Sequence, residues 1–154
     1  APPYDENVIY NFHCYDPFLF THQAAHWLDN MPDELRISYP GNISDYRRTM
    51  KELGLDYIQD YFDVPDSGFD TAYFEKRFEN AVRICEERGT ALYCGEYGVI
   101  NTSEPEDALK WLKDIHSAFE KLGISRAAWS YKNVDFGLSD EHMKSVIDEI
   151  ITLL

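Results

Sequence analysis

A chain of 154 residues with 44% hydrophobic and 15% aromatic side chains has the material for a packed core and reads as one domain over 1–154, which excludes a disordered segment. Its 28 acidic residues against 14 basic ones give a formal charge of −14, which repels phosphate backbones and anionic lipid surfaces, so nucleic-acid and membrane partners are disfavoured and neutral ligands favoured. Cys14, Cys85 and Cys94 form neither an even set nor a CxxC pair, which argues against a disulfide framework and a zinc knuckle.

No stretch approaches the ~20 apolar residues of a spanning helix. The first residues lack a charged-then-apolar leader, so the chain reads as beginning where a mature or trimmed product would. Residues 7–15, NVIYNFHCY, are β-branched and aromatic on both parities, as in a strand covered on both faces. Ile9, Asn11, His13 and Tyr15 share one parity, so the polar groups gather on one face. The aromatic connection that follows is punctuated by Pro17, Pro32, Pro40 and Gly41 and reads as a functional loop with one short helix over 21–28.

Helical periodicity then takes over. Ser44 is the expected N-cap of DYRRTMKEL, with Gly54 its stop, and Asp70 the expected N-cap of the helix over 71–88, whose Phe74, Phe78, Ala81, Val82 and Cys85 form one stripe before Gly89. Residues 91–98, ALYCGEYG, read as a buried strand in which alternation puts Leu92, Cys94 and Glu96 on one face. A carboxylate closing such a strand costs several kcal/mol to bury, roughly 3 or more, unless partners hold it; a strand-end glutamate reaching solvent is the plainer reading. Ser103 and Glu106 have capping-box spacing before the stripe Leu109, Leu112, Ile115, Phe119 and Leu122. A third strand is expected over 124–131, and Ser139 is the expected cap of a last helix that turns Met143, Val146, Ile147, Ile150 and Leu154 inward.

Strands alternating with amphipathic helices imply βα units and a parallel sheet, with chemistry at the C-terminal strand ends. Those ends hold His13 and Tyr15, then Glu96, then Trp129 and Tyr131. FHCYDPFLFTHQ with Trp27 after it, GEYG, and AAWSYKNVDFGL, in that order, resemble the last three βα units of family 5 glycoside hydrolases, the cellulase-type (β/α)8 barrels. The resemblance covers nearly the whole chain. It implies an α/β fold that is a partial TIM barrel, with three parallel strands corresponding to the sixth to eighth of the family barrel, and the cleavage of β-1,4-linked glucans or related neutral polysaccharides with retention, without metal or organic cofactor.

The resemblance further implies that Glu96 is the nucleophile, that His13 and Tyr15 are its His-x-Tyr neighbours, and that Trp129 ends the eighth strand. On that footing Tyr15 orients Glu96, His13 meets a sugar hydroxyl, and Trp129 stacks on a pyranose. Trp27, Phe18 and Phe20 line a groove, and Lys132 and Asp135 reach sugar hydroxyls. Each residue also has an ordinary reading, as core packing for Tyr15, His13 and Trp129 and as exposed loop charge for Lys132 and Asp135. His22 and His26 have metal-ligand spacing on a helix but no adjacent glutamate or third ligand, so no metal is expected.

The family's acid/base, a glutamate after an asparagine at the end of the fourth strand, has no counterpart here. Glu6 and Asn7 stand in the wrong order ahead of the first strand. Three strands leave two open edges, so association with further copies or with a missing N-terminal half is expected, and the isolated chain is expected to be inactive or very weak. The alternative is an inert fragment that self-associates and at most binds glycan. A polysaccharide hydrolase of this type is expected to be secreted.

Overall fold

The computed structural model describes residues 5–55, 57 and 68–154. Three parallel strands, β1 (Tyr10–Cys14), β2 (Leu92–Tyr97) and β3 (Ser125–Arg126), lie side by side in chain order. They alternate with α1 (Phe18–Thr21), α2 (Ile43–Glu52), α3 (Thr71–Arg88) and α4 (Pro105–Leu122), and α5 (Ile147–Ile151) follows a 3-10 turn over Glu141–Met143. Parallel neighbours need a crossover, and α3 and α4 supply it. Both end at glycines with left-handed backbone, Gly89 and Gly123, as the periodicity and stops predict.

The helices bury one face of the sheet. Phe12 of β1 meets Phe78 of α3 at 5.1 Å between ring centroids, Phe78 stacks on Phe119 of α4 at 5.3 Å, and Phe74 meets Trp111 edge-on at 5.9 Å. Cys14, Cys94 and Tyr97 enter this core from the strands. Apolar area removed from water, at roughly 25 cal/mol per Å², is what holds helices to sheet. Asn11 and His13, on the other face, are exposed.

That division corrects the expected alternation in β2. Cys94 is fully buried whereas Glu96, two residues on, lies on the face of His13. The register explains it: Phe12 pairs with Cys94 and His13 with Glu96, so Gly95 is an extra residue in the strand. A bulge of this kind reverses which parity points where. Its unpaired N–H donates to Asn11 Oδ1 at 2.9 Å, and a Cβ on residue 95 would lie 2.5 Å from that same oxygen. Glycine is required by the closeness of Asn11.

Several boundaries differ from expectation. The first strand is Tyr10–Cys14, shorter than 7–15. The helix expected over 21–28 is instead α1, because Ala24 has φ 54° and a left-handed residue ends helical geometry. Asn42, not Ser44, caps α2, its Oδ1 accepting from the Ser44 and Asp45 amides at 2.8 and 3.3 Å. Ser103 caps nothing: its hydroxyl donates to the Ile100 carbonyl at 2.8 Å, and α4 begins at Pro105. The third strand is two residues of regular pairing, prolonged by Ala127 N–H to Cys94 O and Trp129 N–H to Tyr97 O, both 2.9 Å. The last helix is split, because Val146 leaves helical geometry at φ −123° and Asp140 precedes the 3-10 turn; Ser139 instead donates to Tyr131 O at 2.8 Å, Ile147 is half-buried and Leu154 is exposed. No helix among the described residues is long and apolar enough to cross a membrane.

Gly95→Ala is expected to cost about 1–3 kcal/mol by overpacking, and less in an Asn11→Ala background, because the obstacle is that side chain. Gly98→Ala should cost more, since its Cβ would lie 2.0 Å from the main-chain oxygen of Trp129, which cannot rotate away. Urea denaturation of the parent, the three single variants and the Gly95→Ala/Asn11→Ala double variant measures this; equal costs for Gly95→Ala with and without Asn11 would contradict it.

Candidate active site

The strand ends bring three of the expected residues into contact. The Tyr15 hydroxyl donates to Glu96 Oε2 at 2.9 Å, and His13 Nδ1 lies 3.4 Å from the same oxygen. Glu96 is 32% exposed, open to the uncovered side of the sheet. Partial burial, and then the hydrogen bond and charge of Glu96, hold the Tyr15 phenol far above the ordinary tyrosine range. Tyr15 is therefore a fixed donor at every physiological pH.

An aromatic wall backs the hydroxyl. His22 lies edge-on to Tyr15 at 5.0 Å and stacks on Phe18 at 4.3 Å, while Phe136 meets Tyr15, His22 and Trp27 at 5.8, 5.3 and 6.3 Å. Burial lowers the pKa of His22 to about 4, so its imidazole is neutral at pH 7. The Thr21 hydroxyl proton goes to Tyr15 O at 2.6 Å, which leaves Thr21 Oγ1 to accept from His22 Nδ1 at 3.0 Å. The two histidines read as metal-spaced do not lie on one helix; His22 faces this wall and His26 is on the surface. Among the described residues no group of three His, Cys, Asp or Glu side chains could hold a metal.

Trp129 extends β3 beside Tyr97, 41% exposed, and its peptide to Ser130 is cis. Trp27, 45% exposed, stands at the other side of Phe136 with His26 edge-on to it at 4.9 Å. Asp135 reaches His26 rather than Glu96, Oδ2 to Nε2 at 3.5 Å. It is carried there by three successive left-handed residues, Asn133, Val134 and Asp135, with φ of 62°, 49° and 63°; a β-branched residue in that region is strained. Lys132 is exposed in the same turn and forms no ion pair among the described residues. The loops after the strands are tied together: Ile100 N–H to Thr21 O at 3.1 Å, Asn101 N–H to Asp135 O at 2.7 Å and the Thr102 hydroxyl to Gln23 O at 2.6 Å.

Asn11 as the partner of the bulge, Phe136 as the hub of the wall and His22 as a packing residue are not expected from the sequence. Asn11 shares the parity of His13 and Tyr15, which was a usable signal. Phe136 and His22 lie in loops without periodicity and gave none.

The model of the cellulases, glycosyl hydrolase family 5, matches residues 1–135. This chain belongs to glycosyl hydrolase family 5. Among family 5 relatives, it is 43% identical over 124 residues to cellodextrinase A of Ruminococcus flavefaciens, a match covering 80% of this chain and 30% of that protein. It is 32% identical over 151 residues to endoglucanase C of Acetivibrio thermocellus, covering 97% and 43% respectively. The chain thus spans less than half the length of these relatives.

Solved structures agree on the fold. A hyperthermophilic endo-β-1,4-glucanase in complex with substrate superposes with a TM-score of 0.67 at 24% identity, covering 99% of this chain and 41% of that one. The endoglucanase Cel5A of Thermotoga maritima gives 0.65 at 21%, covering 100% and 41%. The three strands and their helices therefore have the fold of a partial (β/α)8 barrel.

His22 predicts acid sensitivity. Its folded pKa, about 4, is below the unfolded value of roughly 6.5, so the unfolded chain binds more protons between the two and stability falls as pH drops through that window, by on the order of 2 kcal/mol. His116, whose pKa burial also lowers, acts in the same direction. The slope of unfolding free energy against pH from 6.5 to 5 should be shallower in His22→Gln than in the parent; an unchanged slope would count against a neutral His22.

Proposed function

We propose that Glu96 is the nucleophile of a retaining β-1,4-glucan hydrolase, and that this chain is the nucleophile-bearing segment of that enzyme, completed by a preceding polypeptide or by another copy. The reading rests on the division of labour between the Glu96 oxygens. Oε2 accepts from Tyr15 and faces His13, whereas Oε1 makes no hydrogen bond among the described residues. A carboxylate anchored through one oxygen presents the other for attack. Family membership supports a glycan as substrate, and its relatives include a cellodextrinase and an endoglucanase.

In this mechanism Oε1 forms a bond to the anomeric carbon as the glycosidic carbon–oxygen bond breaks. Water then displaces Glu96 from the same carbon. Tyr15 holds Glu96 aimed, His13 meets a sugar hydroxyl, and Trp129 and Trp27 offer exposed ring faces to pyranoses. The departing oxygen needs a proton from a second carboxyl about 5 to 5.5 Å from the first. Asp135 is engaged with His26, and the Asn-Glu pair that supplies the acid in the family is absent from the strand ends. Because polymeric glucan does not enter cells, we assign the reaction to the outside of the cell.

General acid help is worth about a hundred- to ten-thousand-fold. The isolated chain is thus expected to be nearly inert on soluble β-glucan while slowly cleaving a dinitrophenyl cellobioside, whose leaving group needs no proton, and Glu96→Gln should abolish that residual rate. Equal rates for both proteins on the activated substrate would remove Glu96 from the mechanism. Strong activity on the glucan would instead point to an acid contributed by a second copy.

The alternative, an inert piece that self-associates, draws on one observation. β1 and β3 each pair on one side only among the described residues, and Ile9 on the open face is 57% exposed. Such edges and faces recruit partners. Light scattering is expected to give a mass above that of one chain; a single-chain mass at all workable concentrations would contradict association.

A further inference from the structure

We propose that Asp16 is a positioning residue for the candidate nucleophile, fixing the main chain of Tyr15 so that its hydroxyl meets Glu96. The inference rests on the Tyr15 and Glu96 roles assigned above. Asp16 is 9% exposed at the end of β1, immediately after Tyr15. Its Oδ2 accepts from Arg77 Nε at 2.6 Å and from the Tyr73 hydroxyl at 3.0 Å, both on α3. Its main-chain oxygen accepts from Trp111 Nε1 of α4 at 2.7 Å, and the preceding carbonyl, that of Tyr15, accepts from the Thr21 hydroxyl of α1. Two helices thus grip two consecutive peptide groups, and a third holds the side chain between them.

The pair is only half-buried, with the Arg77 side chain 36% and that of Asp16 12% exposed, so it is a poor source of stability, but the buried Asp16 carboxylate has few positions in which its charge is matched. Here the fixed atom is one residue from the phenol that holds Glu96 at 2.9 Å. A tyrosine hydroxyl lies at the end of a long rigid ring, so a small rotation at its Cα moves the hydroxyl out of hydrogen-bond range. The site is therefore aimed from the helix layer, on the side of the sheet opposite the open face.

The test uses the full chain with 13Cζ-labelled tyrosine, the Tyr15 signal being assigned by its loss in Tyr15→Phe. Glu96→Gln should displace that signal, because the acceptor changes from a carboxylate to an amide. Asp16→Asn should displace it in the same direction, and Tyr73→Phe, which deletes one hydroxyl and keeps the charge pair, should do so to a smaller extent. Cys85→Ala, which weakens the same helix at its far end away from Tyr73, Arg77 and Trp111, should lower the melting temperature and leave the signal in place. Should Asp16→Asn fail to fold, Tyr73→Phe carries the same comparison. A Tyr15 signal unmoved in Asp16→Asn and Tyr73→Phe but displaced in Glu96→Gln would overturn the positioning role alone. A signal unmoved in Glu96→Gln would overturn both this inference and the Tyr15–Glu96 reading beneath it.

Discussion

One extra residue in β2 decides where the chemistry is. Without Gly95 as a bulge, alternation would send Glu96 inward with Cys94, among Phe78, Trp111 and Phe119, where an unpaired carboxylate costs several kcal/mol or gives up its charge. With it, the carboxylate joins His13 and Tyr15 on the open face and Tyr97 takes the inward place. The bulge in turn needs an acceptor for its orphan amide, which Asn11 provides at 2.9 Å. The orientation of the Glu96 carboxylate thus comes down to a hydrogen bond between an asparagine side chain and a glycine N–H.

Much of this architecture is written in the sequence because amphipathic periodicity is local. The stripes of α3 and α4, with Asp70 ahead of one and Gly89 and Gly123 behind them, define those helices without tertiary information. The convergence of His13, Tyr15 and Glu96 was also legible, since parallel βα units send strand ends to one side. Glu96 is expected at the correct end beside His13 and Tyr15 but on the face of Leu92 and Cys94: strict alternation cannot register a bulge, which is a property of two strands and not of one. The Ser44 and Ser103 caps failed for a related reason. Two or three residues in each stretch can cap, and the choice falls to which neighbours must be buried; Ile43 is fully buried and has to lie inside the helix that Asn42 starts.

The loops were the least legible part. Their order comes from contacts between distant segments, as where Phe136 touches Tyr15, His22 and Trp27, and no local pattern encodes such a meeting. Asp135 illustrates the difference between proximity in sequence to a motif and availability. It follows the Trp129 strand closely, as a sugar-binding residue would, yet its carboxylate faces His26 and its carbonyl is bonded to the Asn101 amide. Family membership bears on what such a surface is for; the assignment of individual side chains rests on their geometry.

The ties among the loops have a consequence for change. The connections after β1, β2 and β3 are stitched main chain to main chain, through Ile100 to Thr21 and Asn101 to Asp135, with Thr102 adding a side-chain stitch to Gln23. Lengthening any one of them would unpick its neighbours, so insertions should be poorly tolerated around this rim. Outward side chains such as Trp27, Lys132 and Val134 take no part in the stitching. Variation at the rim is therefore channelled into point substitutions on a fixed outline, and a library that randomises those positions keeps its frame while one that varies loop length loses it.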